Sequence, residues 1–78
     1  MLIANKTDVR PDIPINGRQQ KAVDYIRLHG NISNKMYQEI NNVSKPTATR
    51  DLQKLVSLGI IAIKAGTSGK NILYTYSV

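Results

Sequence analysis

The sequence predicts a small α+β domain, mainly α, built from three helices and a C-terminal β-hairpin. Three observations predict it. Asn16, Ser33 or Asn34, and Ser44 are good N-capping residues, and each stands just before a segment whose apolar side chains recur with helical period. Those segments close at Gly30, Asn41-Asn42 and Gly59, residue types that tolerate the left-handed backbone ending many helices. Beyond Gly59 the pattern turns β-branched, and Gly66-Thr67-Ser68-Gly69 divides it in two.

Residues 1–15 contain Pro11 and Pro14 and show no helical or strand period, so they read as an extended arm or linker. The folded domain is assigned to residues 16–78. Asn16 opens the first helix with Gln19 three positions on, the spacing of a capping box. This helix, about residues 17–29, carries Val23 and Ile26 on one face, flanked by Ala22 and Gln19, with Arg18, Lys21, Asp24 and Arg27 outside. Asn31-Ile32-Ser33 is too short for anything but a single extended step, which gives the order helix, short strand, helix, helix, hairpin. A short second helix follows with Met36, Tyr37 and Ile40, ending near Asn41-Asn42. Ser44 caps the third helix, residues 44–58, where Pro46 is tolerated because a first-turn N–H has no intrahelical partner. Ile60 to Ala65 and Lys70 to Ser77 then read as the two hairpin strands.

Seventy-eight residues make one domain. A chain of this size buries only about 60–65% of its unfolded surface, so its apolar residues go to the core and not to an enclosed active site. There are no cysteines, which removes disulfides and thiolate metal ligands. The longest uncharged apolar run, Ile60-Ile61-Ala62-Ile63, is far shorter than a membrane span. The N-terminal residues lack the apolar stretch of a secretory signal. Together these point to a cytoplasmic chain without a membrane partner.

Catalytic chemistry has little to stand on. The carboxylates Asp8, Asp12, Asp24, Glu39 and Asp51 are scattered and propose no acid–base pair. His29 is the only histidine and falls in the last turn of the first helix, facing the helix dipole, so no metal set can be completed. The glycines of the hairpin loop do not form a phosphate-binding loop. The expectation is no enzyme, no cofactor and no metal. Tyr25 and Tyr37 are expected to be half-buried with their hydroxyls in water. Tyr74 and Tyr76 share a strand face with Ile72 while Leu73 points the other way, which leaves open which face is inside.

The charge is basic and unevenly placed: eleven Lys and Arg against five Asp and Glu, net +6. Residues 44–78 carry Lys45, Arg50, Lys54, Lys64 and Lys70 with only Asp51 opposing them. Such a half suits a polyanion, although a solvated basic surface has the same composition.

The second and third helices are separated only by Asn42-Val43-Ser44, the spacing of a helix-turn-helix, with Asn42 in the position that needs positive φ and Val43 turned to the core. At 100° per residue, with Ala48 at 0°, Leu52 lies near 40°, Leu55 near 340° and Val56 near 80°, the buried stripe. Asp51, near 300°, borders it within reach of Lys54, Lys21 or Arg27. Pro46, Arg50, Gln53, Lys54 and Ser57 lie opposite, with Thr47 beside them and Thr49 on the flank. That face contains no acid. Arg50 offers a fork to a guanine edge, Thr47 and Gln53 give and accept hydrogen bonds, Lys54 meets a phosphate, and Lys45 is counted with them as a DNA-binding candidate. Lys64, Thr67, Ser68 and Lys70, at the hairpin rim and tip, suit a phosphate backbone. An amphipathic helix has a polar outer face in any case, and the loop is ordinary in composition. What strengthens the reading is that the hairpin directly follows the helix.

The stretch Ser44-Lys45-Pro46-Thr47-Ala48-Thr49-Arg50-Asp51-Leu52, continuing to Leu55 and Gly59-Ile60, resembles the recognition-helix pattern S-x-x-T-x-x-R-D-L-x-x-L-x-x-x-G-[IL] of DeoR-type repressors. Over about sixty residues, from Asn16 to the Gly66–Gly69 loop, the chain is also similar to winged modules at the C-termini of Fic proteins and AlbA-like transcriptional regulators. The resemblance implies a winged helix-turn-helix that binds double-stranded DNA, with Thr47, Thr49 and Arg50 as contacts. Asn42 stands where the family carries glycine, and Thr49 where it often carries a second arginine, which alters the expected contact. The partners expected are duplex DNA, a second copy on paired half-sites, and a fused upstream domain. The competing reading is a protein-interaction or dimerisation module working through Ile60–Ile63, Tyr74 and Tyr76. Single-strand or RNA binding would call for aromatics on the outer face of the third helix, and it has none.

Overall fold

A computed structural model of the chain describes residues 15–67 and 69–77. Its elements run α1 (Gly17–His29), β1 (Ile32–Ser33), α2 (Asn34–Asn41), α3 (Lys45–Ser57), β2 (Ile61–Ile63), a 3-10 turn (Gly69–Asn71) and β3 (Leu73–Tyr76). Of the segment assigned to the arm, residues 1–14 lie outside the described residues. Ile15 is part of the fold, half-buried against the core.

Local chemistry sets the helix ends. The Asn16 side chain accepts from the Gln19 N–H and the Gln19 side chain accepts from the Asn16 N–H, each at 2.8 Å, closing the capping box of α1. Ser33 and Ser44 cap α2 and α3 by accepting from the N–H groups of Met36 and Thr47. At the end of α3, Gly59 takes φ 77, which lets its N–H reach the Val56 carbonyl and the Ile60 N–H reach that of Leu55. This paired C-terminal closure satisfies carbonyls that would otherwise be orphaned and turns Ile60 back toward the core.

The turn between α2 and α3 rests on Asn42, with φ 53 and ψ 53 and its N–H bonded to the Gln38 carbonyl. It is the one non-glycine residue with positive φ among the described residues. Asn42→Gly should therefore hold or raise the melting temperature, whereas Asn42→Ala should lose roughly 1 kcal/mol, because a Cβ opposes this backbone without the compensation available to asparagine. Equal thermal stability for the two variants would show that the turn does not demand this conformation.

Ala22, Val23, Ile26, Ile32, Tyr37, Ala48, Leu52, Leu55 and Ile61 form the core, drawn from all three helices and from β1 and β2. Tyr74 and Tyr76 pack against it, so their face of β3 is the inner one. The Tyr76 hydroxyl donates to the Val23 carbonyl at 3.3 Å and accepts from Arg27 Nε at 3.1 Å.

The sheet differs from a simple hairpin. It has three antiparallel strands in the order β1-β3-β2, with Ile32 opposite Tyr74 and Ser33 opposite Leu73. β2 pairs with β3 through Ile61 opposite Tyr76 and Ile63 opposite Tyr74, and bonds from Ser77 N to Ile60 O and Lys64 N to Leu73 O extend that ladder. The second strand thus begins at Leu73 and not at Lys70, because Gly69–Asn71 form a 3-10 turn that widens the loop. Within the wing, the Thr67 hydroxyl donates to the Lys64 carbonyl at 2.7 Å and accepts from the Leu73 N–H at 3.2 Å. No helix among the described residues is long and apolar enough to cross a membrane.

Candidate nucleic-acid interface

Beside its apolar contacts, α3 is joined to the other two helices by one polar cluster at the edge of the core. Asp51 lies on the inner side of α3 and is only 6% exposed. Arg18 donates to it twice, from Nε at 2.7 Å and a terminal nitrogen at 3.1 Å. The Tyr37 hydroxyl donates to the same carboxylate at 2.7 Å, and the Gln19 amide donates to the Asp51 carbonyl at 3.0 Å. One acid therefore ties α3 to both α1 and α2.

These contacts correct two sequence expectations. Asp51 pairs with Arg18 across the interface, not with Lys54, Lys21 or Arg27, because it points beneath α3 toward the start of α1. Tyr37 is fully buried with its hydroxyl on Asp51, not half-buried with its hydroxyl in water. The Arg18 guanidinium holds the Asp51 carboxyl below the usual carboxylate range, and Tyr37 adds to this while burial opposes it. Burial pushes the Tyr37 hydroxyl well above the ordinary tyrosine value, and its bond to Asp51 adds to the rise.

With Asp51 turned inward, the outer side of α3 carries no negative charge. Lys45, Pro46, Arg50, Gln53 and Lys54 are all exposed, and Thr47 and Thr49 are half-buried. The other described acids lie on other helices, Asp24 on α1 and Glu39 on α2.

The structure divides this face into two flanks. Lys45, Thr49 and Gln53, one helical turn apart in succession, line a groove of about 600 Å³. The groove is also lined by Ser33, Asn34 and Lys35 at the start of α2 and by the wing residues Gly69 and Asn71 to Tyr74. Arg50 and Lys54 instead border a shallower depression with Ile15, Asn16, Gln19 and Asp51.

Not every candidate from the sequence is equally free. Thr49 Oγ1 accepts from Asn34 Nδ2 at 2.9 Å. Thr47 sits in the first turn, with its N–H and Oγ1 both facing Ser44 Oγ. Thr67 spends its proton inside the wing. Lys64 is exposed beside the wing base. Ser68 and the side chain of Lys70 lie outside what the structure describes.

Asn34 and Lys35 were missed by sequence reasoning. The sequence offers Asn34 only as an alternative cap of the second helix and gives Lys35 no role, and the packing of α2 against α3 brings both to the groove. Arg18, which helical period places outside, reaches Asp51 because α1 packs against α3.

Residues 18–66 match the family model described as the DeoR-like helix-turn-helix domain. No curated protein matches the chain.

Proposed function

The chain belongs to the DeoR-like helix-turn-helix family, a family of DNA-binding domains of transcription regulators, and from that membership we propose that α3 enters the major groove of duplex DNA while the wing follows the adjacent phosphate backbone. The observation that carries this reading is the outer side of α3: it is exposed, free of acid, and flanked by Lys45 on one side and Arg50 with Lys54 on the other. B-DNA's major groove admits an α-helix, and its guanine edges accept two parallel hydrogen bonds from an arginine fork. Arg50 and Gln53 read bases in this arrangement. Lys35, Lys45, Lys54 and Lys64 meet phosphates, which position the domain without reading sequence. Two copies on half-sites one helical turn apart would present two such faces to the same side of the duplex. Acting as the DNA-binding part of a regulator, the module needs no catalytic group.

Site selection from randomised duplex, followed by titration of the chosen site, tests the proposal. Arg50→Ala is expected to cost roughly 1–3 kcal/mol of binding and to relax the preference at one base pair, while Lys45→Ala weakens all sequences alike. A wild-type chain that recovers no site and retains no duplex would overturn it.

A further inference from the structure

Thr49 does not meet the groove as a freely rotating hydroxyl. Gln38 Nε2 donates to Asn34 Oδ1 at 2.6 Å, and Asn34 Nδ2 donates in turn to Thr49 Oγ1 at 2.9 Å. The relay runs one way, from α2 into α3. With its carbonyl occupied by Gln38, the Asn34 amide is held with its NH₂ toward α3. A threonine hydroxyl has one proton and two lone-pair directions, and here one of those directions is filled from the α2 side. Among the described residues the Thr49 proton has no acceptor of its own, and Thr49 lines the groove between Lys45 and Gln53.

We infer that Thr49 is a specificity-determining residue that presents its hydroxyl to a base edge as a hydrogen-bond donor, oriented by the Gln38–Asn34 relay. The inference rests on the major-groove reading above. In that groove guanine shows two acceptors, N7 and O6, thymine shows O4, adenine mixes N7 with an amino donor, and cytosine shows only its amino donor. With one lone pair filled and its proton lacking an acceptor among the described residues, the hydroxyl favours guanine or thymine on the strand it touches, and it disfavours cytosine, whose amino donor would leave that proton unpaired. Neither the Gln38–Asn34 bond nor the Asn34–Thr49 bond is needed to cap α2, which Ser33 already does.

Site selection and competition titrations with the full chain and three variants test this, with circular dichroism confirming that each is folded. The wild type should prefer guanine or thymine over cytosine at one position by roughly three- to tenfold, the value of one net hydrogen bond. Thr49→Val should lose the preference at that position and keep the others, and Thr49→Ser should restore it. Asn34→Asp is the sharper variant: its carboxylate only accepts, so it draws the Thr49 proton toward α2 and turns a lone pair outward. The preference at that position should then move toward cytosine or adenine.

Unchanged base preferences in Thr49→Val would overturn the inference while leaving duplex binding intact. So would a uniform loss of affinity with every preference retained, which would put the hydroxyl on a phosphate. An Asn34→Asp chain that still prefers guanine would refute the relay. A wild-type chain without any duplex affinity would remove the major-groove reading itself, a result separate from all of these.

Discussion

Asp51→Ala should destabilise the folded chain by roughly 2–4 kcal/mol, enough to threaten a domain of this size. The loss comes from what the substitution leaves behind. Tyr37 is fully buried, and its hydroxyl has Asp51 as its acceptor, so alanine strands a buried donor in the core. Arg18 contributes less, because its side chain is 41% exposed and can return to water. Tyr37→Phe makes the complementary comparison. It removes the donor but leaves Asp51 paired with Arg18, and should cost nearer 1 kcal/mol. Chemical denaturation of the two variants checks the asymmetry; a Tyr37→Phe loss as large as that of Asp51→Ala would mean the hydroxyl, not the acid, organises the cluster.

The same cluster sets a pH window. Asp51 has its folded-state pKa lowered, chiefly by Arg18. Its contribution to stability is therefore present above the unfolded carboxylate value near 4 and is lost as pH falls below that toward the folded value. Tyr37 has its value raised, first by burial. Its contribution is complete below the unfolded tyrosine value near 10 and disappears as pH climbs through the higher folded one. Wild-type stability should therefore fall on both sides of that range, and Asp51→Ala should flatten the acid side. An acid limb that survives in Asp51→Ala would assign it to another carboxylate.

Duplex affinity should fall roughly 10²-fold between 50 and 200 mM monovalent salt. Four exposed lysines, Lys35, Lys45, Lys54 and Lys64, are assigned to phosphates, and each phosphate neutralised releases condensed counterions. The logarithmic slope should be near −4, and Lys35→Ala should reduce it by about one. Lys35 matters here because no sequence pattern singled it out; its place beside the groove that Lys45 also lines comes from the fold. A slope near zero, with binding retained, would favour a protein-contact role for this surface over a nucleic-acid one. Because the slope counts charges and the site-selection variants count base preferences, the two measurements can fail independently.

What the sequence determined by itself was whatever depends on residues three to five positions apart. The capping box of Asn16 and Gln19, the serine caps of α2 and α3, the left-handed Asn42 and the stop at Gly59 are all closed by short backbone loops. Their hydrogen bonds cost little chain entropy to form, so residue type at fixed spacing was sufficient. The buried stripe of α3 was legible for the same reason, since helical periodicity alone places Ala48, Leu52 and Leu55 on one side.

Contacts between segments far apart in the chain account for the rest. Periodicity left Asp51 at the border of the stripe; the partners that carry it inside, Tyr37 and Arg18, stand fourteen and thirty-three residues away in sequence. The short strand at Ile32-Ser33 found its partner only in β3, and the inner face of β3 was chosen by the core that Tyr74 and Tyr76 cover. The outer side of α3, uniform on a helical wheel, was split into a groove with α2 and the wing and a depression against the start of α1. Helix crossing and strand pairing are settled by the sum of many weak contacts between distant segments, and no local spacing encodes that sum.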